Sequence, residues 1–386
     1  MEPIVAFVFV LSLLFFVPKL LLRYSIPSQL TEVFLGILFG PFLFGFFEKD
    51  ALFSVLGGIG IITLFFMAGF DVDLESVKKK SRTLLEFGCI QLILFGIITG
   101  LTLFFTSSYS TTTAALIALA LASPSAGFIL GALQTIKVSP AIKEWIEVKV
   151  ISAEILSLLL LLIILKIKTP VLLFTILGGI ILLFWILPFF LKIFYTSVLA
   201  KINGVDMFFL FLVSSSIAVA THLIGIHYII GAFTVGVIVS KFPIHTKHNV
   251  QNPHEKIGTT FSSFAAIFVP FYFFSVGLMI TKDMMTWNAL FFALLLFILL
   301  FFIRIVISFL HRRLTLHEKV LSSVQVAFLT TPTLLFTFVM EELLRDANLI
   351  SSSTAGILVI YGLLSALIPV LINHLNKKFV HKEFIA

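Results

Sequence analysis

Runs of about twenty apolar residues, the length that spans a bilayer core, follow one another from end to end of this chain with only short polar breaks between them. In hydrocarbon every backbone N–H and C=O must be satisfied inside the protein, and runs this long exceed a barrel strand, so each predicts a helix. The runs read as 2–22, 27–47, 52–70, 83–106, 112–135, 145–165, 169–195, 206–224, 226–242, 256–280, 287–311, 317–343 and 352–376. The expectation is an all-α integral membrane protein of about thirteen transmembrane helices. With only 12% charged residues, the chain lacks the charge that a soluble domain needs. About ten residues follow the last run, so no soluble regulatory domain is expected. The first run starts Met1-Glu2-Pro3 without a basic leader and reads as a retained helix. Cys89 lies in an apolar run and reads as a small core hydrophobe.

The positive charges orient these spans. With the N-terminus outside and the C-terminus in the cytoplasm, 20 of the 26 Lys and Arg fall at the inner side, 5 at the outer side, and Arg304 within a span. The net charge of +7 therefore reflects topology, and nucleic acid is not an expected partner. The lipid bilayer is.

Two spans carry a proline between small hydroxyl residues at mid-membrane: Ser123-Pro124-Ser125 in the fifth and Thr331-Pro332-Thr333 in the twelfth. Proline removes a donor and clashes with the preceding turn. The two spans are seven apart and cross in opposite senses, so spans 2–6 and 9–13 pair as inverted five-helix repeats. Interrupted helices at matching places in such repeats point to a transporter's central ion site. Two ordinary proline kinks are the alternative.

Glu154 lies about nine residues into its span, roughly 14 Å at helical rise, near the middle of a core about 30 Å thick. A carboxylate there costs on the order of 3 kcal/mol, which makes it a functional candidate. Burial favours its neutral form, so it can carry a proton, and its ionised form offers oxygens to a hard cation. Competition between the two is exchange chemistry. Arg304 never deprotonates; it either compensates ionised Glu154 or serves a structural or snorkelling role. Glu32, nearer the inner end of its span, reads as structural. Ser157, Ser322, Ser323, Gln325 and Thr330 are further candidates for lining the site, although hydroxyls also bond within their own helix. His245, His248 and His254 form a loop group without metal-ligand spacing. No Walker loop, usable dinucleotide fingerprint or hydrolase elbow occurs, so neither an enzyme nor a cofactor is expected.

Several segments resemble the monovalent cation:proton antiporter-2 family. They are Ile26-Pro27-Ser28-Gln29-Leu30-Thr31-Glu32 with Gly36-Ile37-Leu38-Phe39-Gly40-Pro41, Phe65-Phe66-Met67-Ala68-Gly69-Phe70-Asp71-Val72-Asp73-Leu74, Gly231-Ala232-Phe233-Thr234-Val235-Gly236 and Pro270-Phe271-Tyr272-Phe273-Phe274-Ser275-Val276-Gly277-Leu278. The resemblance implies thirteen helices, with core helices at about 52–165 and 256–376 and dimerisation helices at about 1–47 and 169–242. It implies a homodimer and two broken helices, carrying Pro124 and Pro332, that cross beside an acidic helix. Its ion-binding carboxylate falls on Glu154, with Ser123, Ser125, Thr331 and Thr333 around it, and its basic residue falls on Arg304. Electrogenic relatives carry an acidic pair where this chain has Ala153-Glu154, so one proton for one cation (sodium, or potassium or lithium) is the simpler stoichiometry. Regulation by nucleotide would need a separate cytoplasmic subunit. The alternatives are a sodium-coupled symporter for organic anions and a non-transporting membrane scaffold or sensor.

Overall fold

The computed structural model describes residues 3–24, 26–133, 136, 138–197, 206–241, 253–317 and 319–373, and among these no strand occurs. The helices are α1 (Pro3–Leu21), α2 (Ser28–Phe39), α3 (Ala51–Phe70), α4 (Leu74–Lys79), α5 (Ser81–Phe105), α6 (Thr111–Ala122), α7 (Ala126–Leu133), α8 (Pro140–Lys166), α9 (Pro170–Ser197), α10 (Asp206–Leu223), α11 (Tyr228–Ser240), α12 (Pro253–Leu278), α13 (Trp287–Leu310), α14 (Val320–Leu329), α15 (Leu334–Asp346) and α16 (Ser352–Ala366). Among the described residues, ten candidate spans are long and apolar enough to cross a membrane, and three shorter apolar helices occupy Ser28–Phe39, Phe208–Leu223 and Tyr228–Ser240. Each apolar run read from the sequence holds one of these thirteen. His245 and His248 lie outside the described residues; His254 falls in the first turn of α12.

Two compact units emerge. One comprises Met1–Lys49, Glu75–Leu161 and Phe273–Ala386; the other comprises Asp50–Leu74 and Leu162–Tyr272. In the second unit, α11 is buried almost all round and packs along α3. The contact is backbone against backbone. A Cβ on Gly236 would stand 2.1 Å from Phe66 O, and one on Gly69 would stand 2.2 Å from Phe233 O. Small residues let membrane helices approach this closely, which gives the Gly231–Gly236 segment a packing reason. Gly236→Ala should therefore lower stability by about 1–3 kcal/mol through overpacking. Gly58→Ala, where a Cβ meets nothing within 4 Å, should be neutral; thermal melts of the two variants in detergent compare them. Equal melting temperatures would refute the packing account.

The first unit holds both interruptions. α6 starts at an N-cap where the Ser110 side chain accepts from Thr113 N. Its alanine-rich turns are buried from Thr113 to Ala122, between α5 and α15. It ends because Ser123 precedes proline and takes extended torsions (φ −80°, ψ 119°). Chain resumes as α7 at Ala126. The twelfth run also breaks, between α14, capped by Thr330 (φ −97°, ψ 9°), and α15, with Pro332 inside the gap. By contrast α5 turns one face outward: Phe104 and Phe105 are 80% and 77% exposed, and Cys89 is exposed on the same helix rather than in the core. A face of that composition suits lipid.

Candidate functional site

The two interruptions meet. Ser125 N donates to Pro332 O (2.9 Å), and Leu335 N, in the first turn of α15, donates to Ser125 Oγ (3.2 Å). Each broken helix therefore supplies partners to the other's freed backbone. Helix ends leave unpaired carbonyls and amides, and deep in a membrane protein these must all be matched. For α6 the matching is nearly complete. Ala120 O accepts from Thr337 Oγ1 (2.8 Å), Leu121 O from Tyr361 Oη (3.0 Å) and Arg304 Nη1 (3.4 Å), and Ala122 O from Gln91 Nε2 (2.7 Å). Arg304 Nη2 also donates to Thr330 O (3.4 Å), at the end of α14. One guanidinium thus bridges the C-terminal ends of both broken helices, where their dipoles are negative.

Glu154 sits halfway along the 27-residue α8 and is fully buried. The helix starts five residues before the run read from the sequence, yet the carboxyl keeps its central position. The backbone N–H of Ala126, the first of α7, lies beside this carboxyl. Neither carboxyl oxygen reaches hydrogen-bond geometry with any protein group. Ser157, one turn on, fixes α8 to the break: its Oγ is 2.8 Å from both Ser123 Oγ and Ala153 O. A positive helix N-terminus and an unpaired carboxyl therefore share one buried spot, while the negative helix ends are occupied elsewhere.

Most expected residues converge here, with differences of role. Ser123 and Ser125 join the network directly. Thr333 N donates to Ser365 Oγ (3.1 Å), and its hydroxyl lies 2.9 Å from Thr337 Oγ1. The Thr331 hydroxyl instead turns back to Phe328 O (2.6 Å), and the Thr330 hydroxyl to Val326 O. Ser323 is fully buried on α14, below the break, and its hydroxyl is unpartnered. Arg304 makes no ion pair with Glu154; its partners are carbonyls. Lys149, expected at the inner surface, is only 4% exposed and donates to Ser308 Oγ (2.5 Å). It shares with Arg304 a small cleft also lined by Phe87, Gln91 and Thr330.

Four residues escaped notice in the sequence: Gln91, Thr337, Tyr361 and Ser365. Each is a lone polar group in an apolar run, and extending the reasoning for charged groups to amides and phenols would have found Gln91 and Tyr361. A fifth, Glu341, is 3% exposed on α15 and ion-paired with Arg345 (2.8 Å), so its charge is answered.

Two interrupted helices meeting beside a buried, unpaired carboxyl define a secondary transporter of the broken-helix class. The chain belongs to the transmembrane sodium/hydrogen exchanger family, whose model matches residues 7–375. It is 26% identical to a Methanocaldococcus jannaschii protein named "Probable Na(+)/H(+) antiporter 3", over 96% of this chain and 97% of that one. It is 29% identical to the Na(+)/H(+)-K(+) antiporter GerN of Bacillus cereus, over 68% and 67%. Among solved structures, the sodium proton antiporter MjNhaP1 of M. jannaschii at pH 8 superposes with a TM-score of 0.68 at 15% identity, covering 96% of this chain and 95% of that one; this likeness concerns the fold. The protein is thus a multi-pass membrane antiporter by family.

Proposed function

We propose that this chain exchanges a monovalent cation for protons at Glu154, one for one, by alternating access. The observation that carries this reading is the buried carboxyl with no protein partner, facing the N-terminal end of α7. Protonated, the group is neutral and compatible with burial. Ionised, it is balanced either by a cation or, between ions, by the N–H groups at the start of α7. Proton and cation cannot both occupy it, so loading one releases the other. Ser123 and Ser125 are hydroxyl candidates for completing a cation's shell, together with Thr333 and the backbone of Thr331. Sodium is the proposed cation, with potassium and lithium as alternatives; the names of the relatives support sodium first and potassium second. An organic-anion symporter is not favoured by any of these relatives.

The same reading extends to the molecule's setting. The thirteen helices form inverted repeats over spans 2–6 and 9–13, with the N-terminus outside and the C-terminus cytoplasmic. The chain works as a homodimer, with a core group of helices that holds both interruptions and α8 moving against a dimerisation group.

The test is cation-dependent proton movement in proteoliposomes, with sodium, lithium and potassium supplied separately. Exchange is expected with sodium and should be electroneutral. Moving one net charge across 100 mV is worth roughly 2.3 kcal/mol, so an electrogenic exchanger would shift its equilibrium gradient strongly under a valinomycin clamp. A single titratable carboxyl releases one proton per cation and leaves no net charge to move. A clear dependence of the sodium gradient on clamped potential would break the one-for-one assignment, and no cation-dependent proton flux at all would sink the antiport reading.

A further inference from the structure

Glu154 is not alone as a membrane-depth carboxyl without a counter-charge. Glu32 on α2 is 4% exposed, and its Oε2 has no hydrogen-bond partner. The sequence places it nearer the inner end of its span; the packing puts its helix against a broken one. Gln29, one turn earlier on α2, lies against α7, where a Cβ on Gly131 would come within 2.7 Å of Gln29 Nε2. Gly36, one turn later, lies against the backbone of the segment from Phe274 to Gly277, its own Cβ position 2.2 Å from Phe274 O. Residues spaced i, i+3 and i+7 share a helix face, so Glu32 stands on the face of α2 that meets both neighbours. The second and fifth runs cross in opposite senses, so the step of three residues from Gln29 to Glu32, about 4.5 Å, leads toward Ala126 and the break. Ala126 itself is five residues, about 7.5 Å, from Gly131.

Among the described residues of the elements that pack on α2, nothing answers the charge of Glu32. α7 carries no titratable side chain, and neither does the segment 273–278. α1, which also packs on α2, carries only Lys19, and that ammonium is exposed over the Phe15 ring. The ion-paired Glu341 shows what a merely structural buried carboxylate looks like in the same protein, and Glu32 lacks that arrangement.

We propose that Glu32 is a second proton-binding station, holding the proton between Glu154 and the membrane face at which α7 ends. The step is a proton transfer between carboxyls. Glu154 loses the proton and becomes free for a cation, Glu32 gains it, directly or through water, and then yields it to the aqueous phase. Charge is conserved, and the stoichiometry stays at one proton. The inference rests on the antiport reading above, so its test must separate the two.

Labelled-sodium counterflow, sodium for sodium, needs Glu154 but no proton. Glu32→Gln keeps the side-chain volume and removes the proton site; Glu32→Asp keeps a carboxyl. In proteoliposomes, Glu32→Gln should retain counterflow while sodium/proton exchange falls on the order of 10²-fold, the scale of a lost proton-transfer group. Glu32→Asp should retain both activities. Proton exchange at the wild-type rate in Glu32→Gln overturns the proposal. So does loss of counterflow together with proton exchange in both variants, which marks a structural group. A wild-type protein lacking sodium counterflow would instead contradict the antiport reading itself.

Discussion

Glu154→Gln is expected to yield a folded, membrane-inserted protein that exchanges no cation for protons. Glutamine preserves the volume of a side chain that is fully buried, so α8 keeps its packing. It removes both states on which exchange depends, since an amide neither carries the transported proton nor bears the charge that attracts a cation. Removal of a proton-transfer group costs at least about 10²-fold, and here the cation site goes as well, so flux should fall to background. Two measurements check this. Proteoliposome exchange reads the flux. Thermal melting in sodium reads the binding, because a ligand at 100 times its Kd stabilises by about 2.7 kcal/mol; the wild type should show that gain and Glu154→Gln should not. Aspartate at 154 retains charge but is one methylene shorter, so it should bind with changed affinity while still exchanging. Wild-type exchange in the glutamine variant would remove the centre of the mechanism.

Arg304→Leu should be the most damaging single change outside the carboxyl. The guanidinium bonds Leu121 O and Thr330 O, one from each broken helix. A buried group left without its partner costs about 1–3 kcal/mol. Leu121 O keeps Tyr361, so the loss falls mainly on Thr330 O and on the joining of the two helix ends. The expected result is a lower melting temperature together with lost exchange, partly recovered by lysine, which restores charge but not the two-pronged reach. A double-mutant cycle with Glu154→Gln separates clamping from charge compensation. If Arg304 acted by neutralising Glu154, removing the carboxylate would relieve the damage. Because its partners are carbonyls, the two changes should add in stability within about 0.5 kcal/mol. Rescue of Arg304→Leu by Glu154→Gln would reverse this assignment.

The contrast between these residues shows how far the sequence alone carries. Pro124 and Pro332 announce where the backbone breaks, because a proline at membrane depth has only a few physical outcomes. Glu154 announces itself through the cost of a charge in hydrocarbon. The residues that satisfy the break are a different matter. Gln91, Tyr361 and Thr337 come from other helices, and no spacing rule links them to Ala122, Leu121 and Ala120. Arg304 was legible as a buried charge, but its choice of carbonyls over Glu154 depends on where two helix ends converge. Lys149 looked like an inner-surface charge because charge counts assign residues to sides, not to depths. Glu32 looked remote because helix contact between α2 and α7 is set by packing, to which Gln29 and Gly131 give no advance signal.

The partners of the first interruption also carry a timing. Thr337 lies 217 residues beyond Ala120, and Tyr361 lies 240 beyond Leu121. A ribosome adding roughly 5–20 residues per second makes them roughly 10–50 s after the break itself has emerged. Neither half is long enough to cross alone: α6 has 12 residues and α7 has 8. During synthesis, the segment must therefore enter the bilayer either as one plain helix or with its open carbonyls shielded by the insertion machinery. Its interrupted form arises only when α15 and α16 arrive, so the last fifth of the chain acts as the closing piece of a structure begun near residue 111. A chain cut short after α13 would insert its earlier helices and still lack the groups that let the ion site form.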